Sequence, residues 1–162
     1  MQDYKIIDNF LSKEEHKSLY DIMTGSEFPY YYNGKINSHD VDGALPSYFT
    51  HVFYNFHTPT QAIGLIEPII KKIQIKSLIR IKANLYPWTE KLQIHSAHTD
   101  YEFTHKGAIY YLNTNDGKTI LEDDTQIDSV ANRMLFFDAS KKHKSTNTTN
   151  TKSRININFN YF

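Results

Sequence analysis

There is no cysteine in the 162 residues, which removes disulfide scaffolds, thiolate metal sites and cysteine nucleophiles together. Arginine is almost as scarce: of 18 basic residues only Arg80, Arg133 and Arg154 are arginine, and the rest are lysine. An arginine in a buried-looking position therefore stands out against the chain's habit. Net charge is also missing, because 18 acidic residues cancel the 18 basic ones. Without a basic footprint for phosphate backbones, nucleic acid is not an expected partner. No apolar run reaches the ~18 residues of a membrane span, so no membrane partner is expected. The opening Met1-Gln2-Asp3-Tyr4-Lys5 does not read as a signal peptide, and the expected location is cytoplasmic.

What is present describes a folded chain. An apolar fraction of 40% beside 22% charged residues separates it from disordered sequences. Its length predicts a single domain over residues 1–162. Ser12 followed by Glu15 forms a capping-box pattern, and Leu11, Leu19, Ile22 and Met23 supply an apolar stripe, so a helix is predicted over roughly 12–24. A second helix is predicted from about 60 to 75, opened by Thr58-Pro59 and carrying Ile63, Ile66, Ile69, Ile70 and Ile73. Pro68 lies within it and should kink or interrupt it. Between these helices come Tyr30, Tyr31 and Tyr32, which cannot all face one core, then a Gly- and Asp-bearing loop, then a strand-like run from Tyr48 to Tyr54.

From residue 78 the period falls to two. Eight candidate strands follow: 78–87, 92–99, 107–113, 118–122, 126–130, 133–138, 143–148 and 153–161. The predicted fold is mainly β, a double-stranded β-helix (jelly roll) with two or more N-terminal helices packed on one sheet. Residues 1–77 then form a helical and aromatic support or lid, and residues 78–162 the jelly-roll core. The stretch from Lys141 to Ser153, rich in Lys, Thr, Asn and Ser, reads as a flexible loop by composition.

Chemistry concentrates in His95-Ser96-Ala97-His98-Thr99-Asp100. In an extended strand His98 and Asp100 point to the same face, which lets one imidazole and one carboxylate hold a single metal ion. A third ligand must come from a distant strand, and His143, the sole histidine after residue 105, is the candidate. Two histidines and a carboxylate leave open positions on an octahedral ion, the arrangement of non-haem Fe(II) oxygenases. His51, His95 and His105 read as surface or loop histidines rather than ligands. The last strand alternates without a slip, with Ile155, Ile157, Phe159 and Tyr161 on one face and Arg154, Asn156, Asn158 and Asn160 on the other. A half-solvated strand is the simplest reading of that pattern, yet its polar face carries one of the three arginines instead of lysine.

With these residues in order, the sequence resembles the Fe(II)- and 2-oxoglutarate-dependent dioxygenases, in particular the prolyl 4-hydroxylase-like branch. The matching positions run from Asn84 to the C-terminus: Leu85-Tyr86-Pro87, His98-Thr99-Asp100, Ile109-Tyr110-Tyr111-Leu112-Asn113, a turn at Asp116-Gly117-Lys118-Thr119, Arg133-Met134-Leu135-Phe136-Phe137, His143 and Arg154. The Asn-, Ile- and Lys-rich composition also looks like small phage-encoded members. The resemblance implies His98, Asp100 and His143 as iron ligands and Arg154 as partner of the distal carboxylate of 2-oxoglutarate. It likewise implies Tyr86 and Tyr111 as hydrogen-bonding partners of the cosubstrate, with Asn158 facing it from the arginine's strand. Implied in turn are hydroxylation of an unactivated C–H bond, of a peptidyl proline or a small metabolite, release of succinate and CO2, and ascorbate as reductant. The family usually has two adjacent glycines where this chain has Asp116-Gly117, and the step from His143 to Arg154 is longer than expected, so a bulge or wider turn is predicted between them. Iron, the dianionic cosubstrate, Asp100 and Arg154 sum to zero charge, which a low-dielectric pocket tolerates. Two other readings stay open: a non-enzymatic jelly-roll binding or structural domain, and a zinc hydrolase using the same three ligands.

Overall fold

The computed structural model describes residues 4–35 and 47–162. The Gly- and Asp-bearing loop expected after the tyrosines lies largely outside the described residues. The chain begins with strand β1 (Tyr4–Ile7) and helix α1 (Lys13–Thr24), then β2 (Tyr31–Asn33), β3 (Tyr48–Asn55) and β4 (Thr58–Pro59). A 3-10 turn (Gln61–Ile66) leads into α2 (Glu67–Ile73). The C-terminal half adds β5 (Leu78–Pro87), β6 (Lys106–Tyr111), β7 (Lys118–Ile120), β8 (Gln126–Asp128), β9 (Arg133–Asp138), β10 (Lys144–Ser145) and β11 (Ser153–Tyr161). The large sheet runs β1-β9-β6-β11-β5-β3-β2, with β4 also paired to β3, and a small sheet runs β10-β7-β8. Every ladder is antiparallel. The architecture is therefore mainly β and of the double-sheet kind expected.

The helical layer is thinner than expected. Where two or more N-terminal helices packed on one sheet were expected, the described residues hold only two short α-helices, of 12 and 7 residues. α1 starts where the capping box places it: Ser12 Oγ accepts the Glu15 N–H at 3.1 Å and Glu15 Oε2 accepts the Ser12 N–H at 2.9 Å. Leu19 and Met23, one turn apart, are buried, while Ile22 is exposed. The helix predicted over 60–75 divides at Pro68, which occupies the first turn of α2 behind the 3-10 segment. Proline fits a first turn, where its missing N–H costs no hydrogen bond.

Both faces of β11 are buried, so the half-solvated reading is wrong. β11 lies between β5 and β6 in the large sheet. Ile155, Ile157, Phe159 and Tyr161 join Leu19, Met23, Ile66, Ile69, Ile81, Ala83 and Tyr110 in the main core under the helices. The opposite face, Arg154, Asn156, Asn158 and Asn160, is equally shielded. Its cross-strand neighbours on β5 are Tyr86, Asn84, Lys82 and Arg80 in that order, so the two strands present one polar row.

Two predicted strands are not continuous strands. Residues 92–99 contribute only single bridges, Ile94 to Thr146 and His98 to His143, and 143–148 shortens to β10. The stretch expected to be flexible instead packs, with Thr146, Asn147 and Thr148 essentially solvent-free. Local composition could not reveal this, because the ordering partners are distant: Thr146 Oγ1 accepts the Lys118 N–H, Asn147 Oδ1 accepts the Gln93 N–H, and Thr148 Oγ1 donates to Asp116. The unpredicted β1 pairs with β9.

Candidate active site

His98, Asp100 and His143 come together, each offering one ligand atom, with those atoms all within 4.8 Å of one another. The single bridge between His98 and His143 holds them: each backbone N–H donates to the other's carbonyl, at 3.0 and 2.9 Å. The rings lie 4.7 Å apart. Nδ1 of His98 meets the Ser96 carbonyl at 3.3 Å, and Nδ1 of His143 meets the Lys141 carbonyl at 3.1 Å. A carbonyl can only accept, so Nδ1 carries the proton and Nε2 presents its lone pair, the tautomer that binds a metal ion. His143 Nε2 lies 3.9 Å from Asp100 Oδ2.

The carboxylate is braced from the polar row. Arg80 Nη2 donates to Asp100 Oδ1 at 2.9 Å, while Asn158 and Asn160 donate to Oδ2 at 3.1 and 2.8 Å. Burial by itself would raise the Asp100 pKa, but His143, Arg80 and the two asparagine hydrogen bonds overcome it and hold the carboxyl well below its usual range. Burial, reinforced by neighbouring His143, pushes the His98 imidazole down. The site thus favours an ionised Asp100 carboxylate and a neutral His98 imidazole, the charge states a metal ion requires.

Arg154 stands at the other end of the row, four residues from Asn158 on the same face, or ~13 Å along the strand. It is fully buried. Nε donates to Ser129 Oγ at 2.8 Å, Nη1 to the Thr146 carbonyl at 3.1 Å and Nη2 to Thr119 Oγ1 at 3.1 Å. The guanidinium also lies 5.4 Å from the Tyr86 ring and 5.9 Å from that of Tyr111. All these partners are neutral, and no carboxylate among the described residues pairs with it. Burial lowers its pKa, but arginine keeps its charge in proteins. Two of its five N–H groups remain for an incoming anion.

Tyr111 Oη donates to Thr119 Oγ1 at 2.8 Å, and Tyr86 Oη lies 3.5 Å from Ser145 Oγ with its ring stacked on Tyr48. Burial raises the pKa of both tyrosines, so both remain hydrogen-bond donors. Tyr48, Lys82, Asn84, Tyr86, Thr119 and Ser145 line one cleft with the three candidate ligands and Asn158. The residues present thus fit a divalent ion at one end and a dicarboxylate reaching the unpaired arginine at the other.

Several expectations change. Asn158 lines the cleft where the cosubstrate is expected and in addition donates its amide to Asp100. His51, His95 and His105 are buried rather than surface residues, and none joins the three-ligand group among the described residues. Tyr31 and Tyr32 are about two-thirds exposed and line a different groove. Trp88 is exposed and donates to the Thr149 carbonyl. Where two glycines were expected, Asp116 accepts hydrogen bonds from Thr148 and Thr149. Arg80 was missed as a site residue, although it is one of three arginines and lies in phase with Tyr86 on β5. Asn160 was missed as a brace because its role depends on where Asp100 folds.

No family model and no curated protein matches the chain. Solved structures do. A prolyl hydroxylase from Trichoplax adhaerens, solved with a hypoxia inducible factor peptide fragment, superposes with a TM-score of 0.71 at 15% identity, covering 100% of this chain and 84% of that one. The viral collagen prolyl hydroxylase of Paramecium Bursaria Chlorella virus-1, solved as a 2OG complex, gives 0.66 at 16% identity, covering 98% and 95%. The non-heme alpha ketoglutarate dependent epimerase SnoN of nogalamycin biosynthesis gives 0.67 at 13% identity, covering 99% and 77%. The chain is similar in fold to these oxygenases over nearly its whole length, as the resemblance implied.

Proposed function

We propose that the chain is an Fe(II)- and 2-oxoglutarate-dependent oxygenase similar to the prolyl 4-hydroxylases. One observation carries the reading: two histidines and a braced aspartate converge at one end of a buried polar row, and a fully buried arginine without an anionic partner stands at the other. His98, Asp100 and His143 would hold the iron, and Arg154 the distal carboxylate of 2-oxoglutarate through two parallel hydrogen bonds, which a lysine cannot make. Bound there, iron and 2-oxoglutarate supply oxidative decarboxylation, in which one oxygen atom of O2 ends in succinate, CO2 leaves, and the other oxygen converts a substrate C–H into C–OH.

The chain's own residues position these partners. Arg80, Asn158 and Asn160 fix the Asp100 carboxylate, the Ser96 and Lys141 carbonyls fix the imidazole tautomers, and Thr119 and Ser129 aim the guanidinium. Tyr86, which lines the cleft, and Tyr111 flank the Arg154 guanidinium and would exclude water around it. The substrate is a small molecule or a peptide segment, a class that includes the peptide ligand of the Trichoplax neighbour. A zinc hydrolase using the same ligands leaves the buried arginine without a purpose. The test is succinate formation from 2-oxoglutarate under O2 with Fe(II) and ascorbate. Iron-dependent succinate release that disappears in His143→Ala is expected; no release above the metal-free background with any candidate substrate would contradict the assignment.

A further inference from the structure

Beyond the set needed for iron and cosubstrate, the polar row carries one cation the chemistry has not used. Lys82 lies between Arg80 and Asn84 on β5, opposite Asn158 on β11, and lines the cleft with the three candidate ligands. Its ammonium has one hydrogen-bond partner, the neutral Tyr48 hydroxyl at 3.3 Å, and lies 5.5 Å from that ring. Asp100 is already bonded by Arg80, and no carboxylate among the described residues pairs with Lys82. Burial, with Arg80 nearby, brings the Lys82 pKa down to about 8 even though the Asp100 carboxylate, already held by Arg80, pulls it the other way.

Asn84, next along the row, donates Nδ2 to Asn156 Oδ1 at 2.9 Å and keeps a buried Oδ1 with no partner. An ammonium and an orphaned amide oxygen, two residues apart on one strand face, are complementary to a ligand that carries an anion beside an N–H donor. A neutral peptide segment would leave the ammonium buried and unpaired, which is unfavourable.

We propose that Lys82 and Asn84 form the substrate subsite, and that the substrate is a free α-amino acid whose carboxylate pairs with Lys82 and whose ammonium donates to Asn84 Oδ1. The proposal rests on the oxygenase reading and narrows its substrate class. Lys82 is then a specificity-determining residue, and Arg154 keeps the cosubstrate.

The experiment uses the full chain loaded with Zn(II) and 2-oxoglutarate, which permits binding without turnover. Calorimetry first measures the affinity for 2-oxoglutarate; a failure at this step would count against the oxygenase reading itself. The loaded protein is then titrated with the protein L-amino acids and with their α-carboxamides, which keep the ammonium and lack the anion. At least one acid should bind about tenfold or more tightly than its amide, the scale of a charge-assisted hydrogen bond. Lys82→Met, close in volume, should erase that preference while leaving the 2-oxoglutarate affinity unchanged. The proposal is overturned if no amino acid binds, if amides bind as well as acids, or if Lys82→Met weakens 2-oxoglutarate tenfold. The acid-to-amide contrast needs only the parent protein, so a variant that fails to fold does not spare the proposal.

Discussion

Gly117→Ala tests whether the turn before β7 exists to seat Arg154. A Cβ built on Gly117 would lie 2.5 Å from the Asn147 carbonyl oxygen and 2.8 Å from Asn115 Oδ1, and closer still to Cδ of Arg154. Ordinary contact begins at 3.4 Å, so roughly 0.9 Å must be recovered. Little around the glycine can give way. Asn147 is backbone in a buried segment, Asn115 Oδ1 accepts the Gly117 N–H at 2.9 Å, and the Gly117 carbonyl accepts the Ser129 N–H. The side chain left to move is Arg154. Overpacking of this kind costs about 1–3 kcal/mol, or a fall in Tm of about 3–10 °C for a chain of this length. A displacement near 1 Å at a positioning group is worth about 100-fold where geometry matters, so the affinity for 2-oxoglutarate should fall at least tenfold. Metal stoichiometry should not change, because the three ligands are held by their own bridge and by the Asp100 braces. Thermal melting and anaerobic calorimetry with metal and then 2-oxoglutarate read both arms. An alanine variant with unchanged Tm and unchanged 2-oxoglutarate affinity would refute the reasoning.

Other outcomes follow from the same geometry. Arg154→Lys keeps the charge but loses the fork and its bonds to Ser129, Thr146 and Thr119; it should raise the apparent Kd for 2-oxoglutarate by about tenfold or more with metal still bound, and an unchanged Kd in calorimetry would count against the carboxylate role. Lys82 links stability to pH: its folded pKa of about 8 lies below the ordinary lysine value of 10.5, so the unfolded chain binds more protons between those values and stability rises with pH through that window. The cost of the buried charge is fully present below pH 8 and is on the order of 3 kcal/mol. Without ligands, Lys82→Met should therefore be more stable than the parent at pH 7, and denaturant melts at pH 7 and pH 9.5 should show the gap narrowing; a gap independent of pH would contradict the burial of that charge.

What could be read in the sequence was what repeats locally. The unbroken alternation of Arg154 to Tyr161 marked β11 and its polar face, the Ser12/Glu15 pair marked the start of α1, and the scarcity of arginine drew attention to Arg154. The closeness of His98 and Asp100 was also legible, although the strand assumed for them is a single bridge followed by a bend. What could not be read depends on register between distant segments. Lys82 and Asn84 gain meaning only opposite Asn158 and Asn156, Arg80 only once Asp100 folds against it, and the Thr- and Asn-rich stretch is buried only because Asp116, Lys118 and Gln93 supply its partners. Burial of both faces of β11 is likewise a property of the second sheet rather than of the strand.

The central claim is that His98, Asp100 and His143 make one iron site that 2-oxoglutarate completes. Its most direct test is anaerobic titration of the protein with Fe(II) followed by 2-oxoglutarate, read as metal stoichiometry by calorimetry and as visible charge-transfer absorption on cosubstrate binding. The account predicts one iron per chain, an absorption band that appears with 2-oxoglutarate, and the loss of both in Asp100→Ala. Stoichiometric Fe(II) binding and an unaltered band in the folded Asp100→Ala variant would contradict it.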